Sequence, residues 1–535
     1  MAIKSFNSDM GRGAPNAAWR GAPNAGVWGL APTLAAALYT AVATAAPSNP
    51  AALRWKLPPY ATQEGDILAI DVPVEAARQG CRVEAEIDLS QYDGMPIEAE
   101  IEAWGESIAK PRDSWNGLKF QFEIVDPESG EKRYPNTAPL LGDFDRRTLR
   151  LRDSLCSTRP APSRLVLGLQ DTCGKVTFDL STLRIHEGRP YWPVTNQTHL
   201  CAYSGPLADA AIHRGVMSPG GDMTAADFAT LAEWGVTLLR YQMIRGWGKT
   251  GTNRDIAEFE AWLDSRLDHF ESFVLPMCRR YCMKVVLDLH VTPGGRIAQG
   301  EFAMFFEREY ADWFVAKWRR IAERFRGNAD IIYGYDLCNE PVQNNEALPE
   351  CDWWSLQRRA AEAIREVDPV TPVIIESNAW DTPGTYGAMS PVALPNIIYE
   401  VHVYNPIEYT HQGVHRKADA PLPYPNPGKG WDKERLRRVL APVRSFQERH
   451  GAKIYVGEFS AAAWAPGAEN YLRDCIALFA EYGWDWTYHA FRESPVWDVE
   501  KAGSRFSEMA PDPATPRKRA LLEGFGNAAN GADML

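Results

Sequence analysis

From about Tyr191 onward, eight short apolar runs are separated by stretches of helical periodicity. The runs are Gly215–Ser218, Thr237–Met243, Lys284–His290, Ile331–Asn339, Pro372–Ser377, Ile397–Tyr404, Lys453–Glu458 and Trp484–Phe491. Helical patterns between them include Thr224–Trp234, Leu263–Tyr281, Arg308–Phe325, Leu356–Val367, Lys433–Arg449 and Tyr471–Tyr482. Short, nearly continuous apolar runs alternating with amphipathic helices are the pattern of parallel strands covered on both faces. Eight such strands over about 300 residues match the size of a (β/α)8 barrel. A doubly wound open sheet is the rival architecture. It would carry a glycine-rich phosphate turn after an early strand, and this chain has none.

The segment before the barrel has a different rhythm. Between about Pro47 and His186 lie Ile67–Val72, Ile97–Ile101, Leu118–Ile124, Arg164–Leu169 and Val176–Leu180, with period-two alternation between turn residues. This predicts an antiparallel β-sandwich. At 535 residues the chain exceeds one ordinary domain. The expected division is a leader at 1–46, a sandwich at 47–190, a barrel at 191–507 and a tail at 508–535, with a short helix near Lys518–Gly524.

The leader repeats RGAPNA at Arg12–Ala17 and Arg20–Ala25, then runs apolar from Gly26 to Ala46 through Ala43-Thr44-Ala45. That fits either a secretory signal with a long leader or a disordered Ala/Gly/Pro-rich tail, and the first predicts a secreted or periplasmic protein. No other segment is apolar enough to span a membrane. The net charge of −12 argues against nucleic acid and anionic membrane as partners. The nine cysteines are scattered. Cys278 and Cys282 lack the second pair that a zinc site needs, and Cys156 and Cys173 would pair only after export.

Two strand tips carry the chemistry. Ile331–Leu337 runs into Asn339-Glu340-Pro341, where the proline ends the ladder. Lys453–Val456 runs into Gly457-Glu458. In a closed barrel the C-terminal strand ends face one cavity, so the two carboxylates are expected to flank one cleft. Such a pair suits glycoside hydrolysis, with the carboxyls about 5–5.5 Å apart for retention and roughly 6.5–9.5 Å for inversion. The bland alternative makes both acids helix caps or surface groups. Arg240 inside an apolar strand is costly unless it meets a carboxylate, so a buried pair with Glu458 is expected, which would keep Glu458 ionised. His402 and Tyr404 alternate with Val401 and Val403, so they point the same way. His402 and His290 also admit a reading as satisfied core histidines.

These motifs, in this order, resemble glycoside hydrolase family 5, the cellulase family among the clan A retaining glycosidases, over roughly residues 210–500. The resemblance implies that Glu340 is the acid/base and Glu458 the nucleophile. It implies that Arg240 buttresses Glu458, and that Asn339 bonds the sugar 2-hydroxyl. His290, ahead of the Pro293-Gly294-Gly295 turn, and the His402–Tyr404 pair also match family positions. Strand eight departs from the family: where a tryptophan platform is expected, this chain has His489. The platform then falls to Trp486, or to Trp497 on the following loop. Trp380, past strand five, is either a further stacking surface or packing.

The implied activity is retaining cleavage of a β-linked polysaccharide or oligosaccharide, with endo-β-1,4-glucanase first and endo-β-mannanase or exo-acting β-glucosidase as alternatives. The Pro- and His-rich insertion from Tyr404 to about Trp431 would favour exo action if it walls off the cleft. The rival from another class is a non-catalytic glycan-binding protein on the same fold. No metal or organic cofactor is implied. The sandwich resembles a carbohydrate-binding module, and Trp104 and Trp115 are its candidate platforms, with core packing as the alternative.

Overall fold

The computed structural model describes residues 53–526, apart from 90–95, 113–115, 126–131, 138–139, 155–162, 188–201, 206, 208–210, 298–299, 344, 346 and 415–420. The leader, Trp115 and Cys156 therefore lie outside the described residues. The seven cysteines within them are free.

The N-terminal strands are β1 (Ala61–Glu64), β2 (Ile67–Val72), β3 (Cys81–Ile87), β4 (Pro96–Ile108), β5 (Gly117–Val125), β6 (Lys132–Arg133), β7 (Gly142–Ser154), β8 (Ser163–Gln170) and β9 (Gly174–Glu187). They form two antiparallel sheets, ordered β1-β2-β9-β4-β7 and β3-β8-β5-β6. The alternation in the sequence sets their faces. Leu118, Phe120 and Phe122 on β5 share one buried core with Leu165, Leu167 and Leu169 on β8. Trp104 is half-buried, and the Arg146 guanidinium lies 5.3 Å over its ring. Arg146 is itself held by Glu102 and Asp179, so one side of this candidate platform is occupied by protein.

Eight parallel strands then close a barrel: β10 (Arg214–Met217), β11 (Leu238–Gln242), β12 (Lys284–Asp288), β13 (Ile332–Asp336), β14 (Val373–Glu376), β15 (Ile397–Val403), β16 (Lys453–Phe459) and β17 (Asp485–Tyr488). β10 pairs with both β11 and β17, which completes the ring. All eight fall where the apolar runs predicted them. Inside, Leu238, Val286, Tyr333, Ile374, Ile398 and Tyr455 pack into an apolar plug. Two residues further along β11, β12, β14 and β15 stand Arg240, Asp288, Glu376 and Glu400, which period two turns to the same inner face. A charged layer thus sits directly on the plug.

The helices wrap this barrel. Ala225–Trp234 begins with a capping box of Thr224 and Asp227 and ends at left-handed Gly235, the start and stop signals that a stable short helix needs. From Arg308–Phe325, Trp318 Nε1 donates to the Leu337 carbonyl at 3.0 Å, fixing the chain where β13 turns into the Asn339-Glu340 tip. From Trp353–Arg365, Trp353 Nε1 donates to the Glu376 carbonyl at 2.9 Å, fixing the end of β14. A last helix, Pro516–Phe525, packs against Ala468–Tyr482. No helix among the described residues is long and apolar enough to cross a membrane.

Candidate active site

Arg240 is wholly buried on β11 and faces carboxylates from five consecutive strands. Its guanidinium is 2.7 Å from Asp336, 2.8 Å from Glu458, 3.2 Å from Glu376 and from Glu400, and 3.6 Å from Asp288. It also donates to Asn339 Oδ1 at 2.9 Å. The planar fork carries five N–H donors in fixed directions against the three of a lysine, which suits it to this many acceptors. The expected Arg240–Glu458 pair is therefore present, as one contact in a larger cluster.

Glu458 and Glu340 are each 4 % exposed. Tyr404 Oη donates to Glu458 Oε2 at 2.7 Å and lies 2.8 Å from His489 Nδ1. His489 Nε2 forms an ion pair with Glu493 at 2.8 Å. Burial works against a charge on Glu458, but His402, His489, Arg240 and His290 outweigh it and hold the carboxyl well below the usual range. His402 bridges the other way: Nδ1 is 3.1 Å from Glu340 Oε1 and Nε2 is 3.2 Å from Glu400 Oε1. Burial opposes its charge too, yet Glu458, Glu340 and Glu400 raise its pKa well above normal, so it carries both ring protons. Ligand atoms of Glu340, His402 and Glu458 all lie within 4.8 Å of one another.

Glu340 adopts φ +51°, a left-handed backbone that costs a residue with a side chain about 1–3 kcal/mol. Its N–H donates to Glu376 Oε2 at 2.6 Å, and its carbonyl accepts from Arg296 Nη2 at 2.8 Å. Asn339 Nδ2 is buried and makes no hydrogen bond within the protein, so a donor remains for a sugar hydroxyl. His290 Nδ1 meets Asp288 Oδ2 at 2.7 Å, and its ring packs 4.8 Å from Trp247.

Two further groupings, Glu376–Asp381–His402 and Asp336–Glu376–Glu400, have the spacing of metal ligands. In each, a protein cation already sits among the acids: His402 in the first, Arg240 beside the second. Protons are the other means of neutralising them. Burial first, and neighbouring carboxylates next, push Asp336 and Glu376 well above the normal range. Burial does the same for Asp381.

The family model described as Cellulase (glycosyl hydrolase family 5) matches residues 207–494, which is more than half the chain. The chain belongs to glycoside hydrolase family 5. It is a glycoside hydrolase, which sets aside the non-catalytic alternative. It is 27% identical over 302 residues to Endoglucanase C of Acetivibrio thermocellus, covering 50% of this chain and 84% of that one. It is 26% identical over 246 residues to Cellodextrinase A of Ruminococcus flavefaciens, covering 44% and 67%. A solved hyperthermophilic endo-beta-1,4-glucanase in complex with substrate aligns over 62% of this chain and all of its own, at 20% identity and a TM-score of 0.46.

Within this family 5 site, Glu340, Glu458, Asn339, Arg240, His290, His402, Tyr404 and His489 come together as expected. Trp486 does not. It is fully buried on the outer face of the barrel, stacked 5.2 Å from Phe525 and edge-on to Phe459 at 5.5 Å. The inward positions of β17 are Asp485 and Thr487, whose side chains meet Tyr333 and Tyr455 of the plug. Trp497 does reach the site, 5.5 Å from His489 and 5.0 Å from His411. Trp380 is buried with its ring 4.7 Å from the Arg296 guanidinium, so it packs on a cation beside the Glu340 tip.

Sequence reasoning passed over Asp288, Asp336, Glu376, Glu400 and Arg296. For Glu376 and Glu400 a signal existed. Each is the one acid in an otherwise apolar strand run, the same kind of anomaly that singled out Arg240.

Proposed function

We propose that this chain is a retaining β-glycosidase that cleaves β-1,4-glucan internally by double displacement. The observation that carries the retaining reading is the separation of the two acids. Oxygens of Glu340 and Glu458 lie within 4.8 Å of each other, which suits the about 5–5.5 Å carboxyl spacing of retaining enzymes better than the roughly 6.5–9.5 Å of inverting ones. Glu458, held ionised by the cations around it, attacks the anomeric carbon while Glu340 protonates the departing glycosidic oxygen. Glu340 then takes a proton from water, which releases the sugar from Glu458. Asn339 Nδ2 is placed to bond the 2-hydroxyl, a contact that strengthens in the transition state. Tyr404 keeps one oxygen of Glu458 aligned, and Arg240 the other.

The glucan assignment rests on kinship with Endoglucanase C. Exo action is a second reading. The insertion after β15 carries His411 to 4.9 Å from the Tyr404 ring, so this loop reaches the tyrosine that holds Glu458. Product sizes from soluble β-1,4-glucan, mannan and xylan decide the matter: mixed oligomers support endo action, and monomer or dimer alone supports exo. The first-formed anomer, read by NMR, tests retention, and an inverted first product overturns it. Glu458→Gln is expected to lower kcat on an aryl β-cellobioside by at least about a thousandfold. Export of the chain and glycan binding by the sandwich are further parts of this proposal, consistent with a polymeric substrate.

A further inference from the structure

The Thr292–Gly295 turn after β12 delivers Arg296 to the underside of the Glu340 peptide. This path requires its two glycines. A Cβ on Gly294 would stand 2.6 Å from the Tyr310 ring, and one on Gly295 would stand 2.7 Å from the Thr252 carbonyl; both have positive φ. Arg296 then donates through Nη1 to the Gly300 carbonyl at 2.7 Å and through Nη2 to the Glu340 carbonyl at 2.8 Å. Its guanidinium is layered among the rings of Phe302, Trp247 and Trp380, at 4.1, 4.4 and 4.7 Å. Among the described residues no carboxylate pairs with it. A buried guanidinium without a counter-ion is an expensive group to keep. Burial draws its pKa down to about 10, which leaves it charged at neutral pH.

From the opposite side, Glu376 on β14 accepts the Glu340 N–H at 2.6 Å. The main chain of Glu340 is thus gripped at both its N–H and its carbonyl, at the one place where β13's tip turns left-handed. A relaxed Glu340 backbone would swing its side chain away from His402 Nδ1, which it meets at 3.1 Å.

We propose that Arg296 and Glu376 are positioning residues that clamp the Glu340 peptide and so aim its carboxyl at the leaving oxygen. This rests on the reading of Glu340 as the proton donor. A planar, in-plane donor is what the aromatic layers can hold, so lysine is a poor substitute.

Leaving-group dependence separates aiming from folding. A phenyl β-cellobioside needs a proton on its departing oxygen, whereas a 2,4-dinitrophenyl β-cellobioside departs without one. For Arg296→Met and Glu376→Leu in the full chain, kcat/KM on the phenyl substrate is expected to fall at least about thirtyfold, and on the dinitrophenyl substrate less than about threefold, since general acid catalysis contributes about 10²–10⁴. Glu376→Gln, which keeps an acceptor for the Glu340 N–H, is expected to restore most of the phenyl activity. Arg296→Lys serves if the methionine variant does not fold, with the same discrimination expected. Glu340→Ala is the reference. No discrimination there overturns the proton-donor reading and the clamp with it. Discrimination in Glu340→Ala but equal losses on both substrates, or none, in the Arg296 and Glu376 variants overturns the clamp alone.

Discussion

His489 stands at the end of β17, 2.8 Å from the Tyr404 hydroxyl that holds Glu458. Burial disfavours its charge, but Glu458 and Glu493 raise its pKa, so it adds a cation beside Glu458. Removing a positive charge near a carboxylate raises that carboxylate's pKa. His489→Ala is therefore expected to move the acid limb of the kcat/KM profile upward by roughly one pH unit, with Arg240, His402 and His290 retaining the rest of the depression. An unchanged acid limb would show that His489 is electrostatically silent. At this scale the two acids and Arg240 were legible from the sequence, because Glu340 and Glu458 close apolar runs at strand ends and Arg240 interrupts one from within. The support around them was not, since a main-chain grip by Arg296 leaves no periodic mark. Its side chain reaches across from another loop to a backbone atom.

At the scale of elements, β17 shows where a pattern stops being informative. Asp485-Trp486-Thr487-Tyr488 alternates, but alternation gives two faces and does not say which is inward. In a parallel strand covered on both sides, an aromatic fits either face. Here the helix Pro516–Phe525 decides it, because Phe525 supplies the surface on which Trp486 lies. Two tryptophans thus separate by role. Trp486→Ala is expected to destabilise the protein by about 3–5 kcal/mol in denaturant titrations while leaving KM for glucan unchanged. Trp497→Ala is expected to raise KM several-fold with a smaller loss of stability. Reversal of those two outcomes would return Trp486 to the substrate. By contrast, all eight barrel strands were legible, since an apolar run between amphipathic helices has few other ways to be buried.

The whole molecule carries its site as a buried excess of acid, and folding therefore responds to pH in a definite direction. Asp336, Glu376 and Asp381 titrate higher in the folded chain than unfolded, as do His402 and His489. Each binds protons more tightly when folded, so each contributes stability that fades as pH rises from its unfolded value through its folded one. Glu458 acts oppositely: its contribution is present above its unfolded pKa and is lost as pH falls below it. Glu458 has finished titrating below about pH 6, while His213 and His450, whose pKa values burial lowers, oppose the five but are fewer. Unfolding free energy is expected to be greater near about pH 6 than near about pH 8.5, and denaturant midpoints across that range check it. The sequence supplied the two architectures and their order, since each has its own period. The interior charge balance was out of reach, because it depends on which acids share one cavity.

Gly457 precedes Glu458 for a reason that lies on the neighbouring strand. A Cβ at this position would fall onto the Glu400 carboxylate, so the space beside Glu458 is already filled by β15. The glycine is in effect a cast of its neighbour's side chain. The two positions are then epistatic: alanine at 457 becomes admissible only where residue 400 has been shortened, and a short residue at 400 relaxes the demand for glycine. Residue 400 can therefore change alone, whereas residue 457 can change only after it, so the order of the two substitutions is set by the packing.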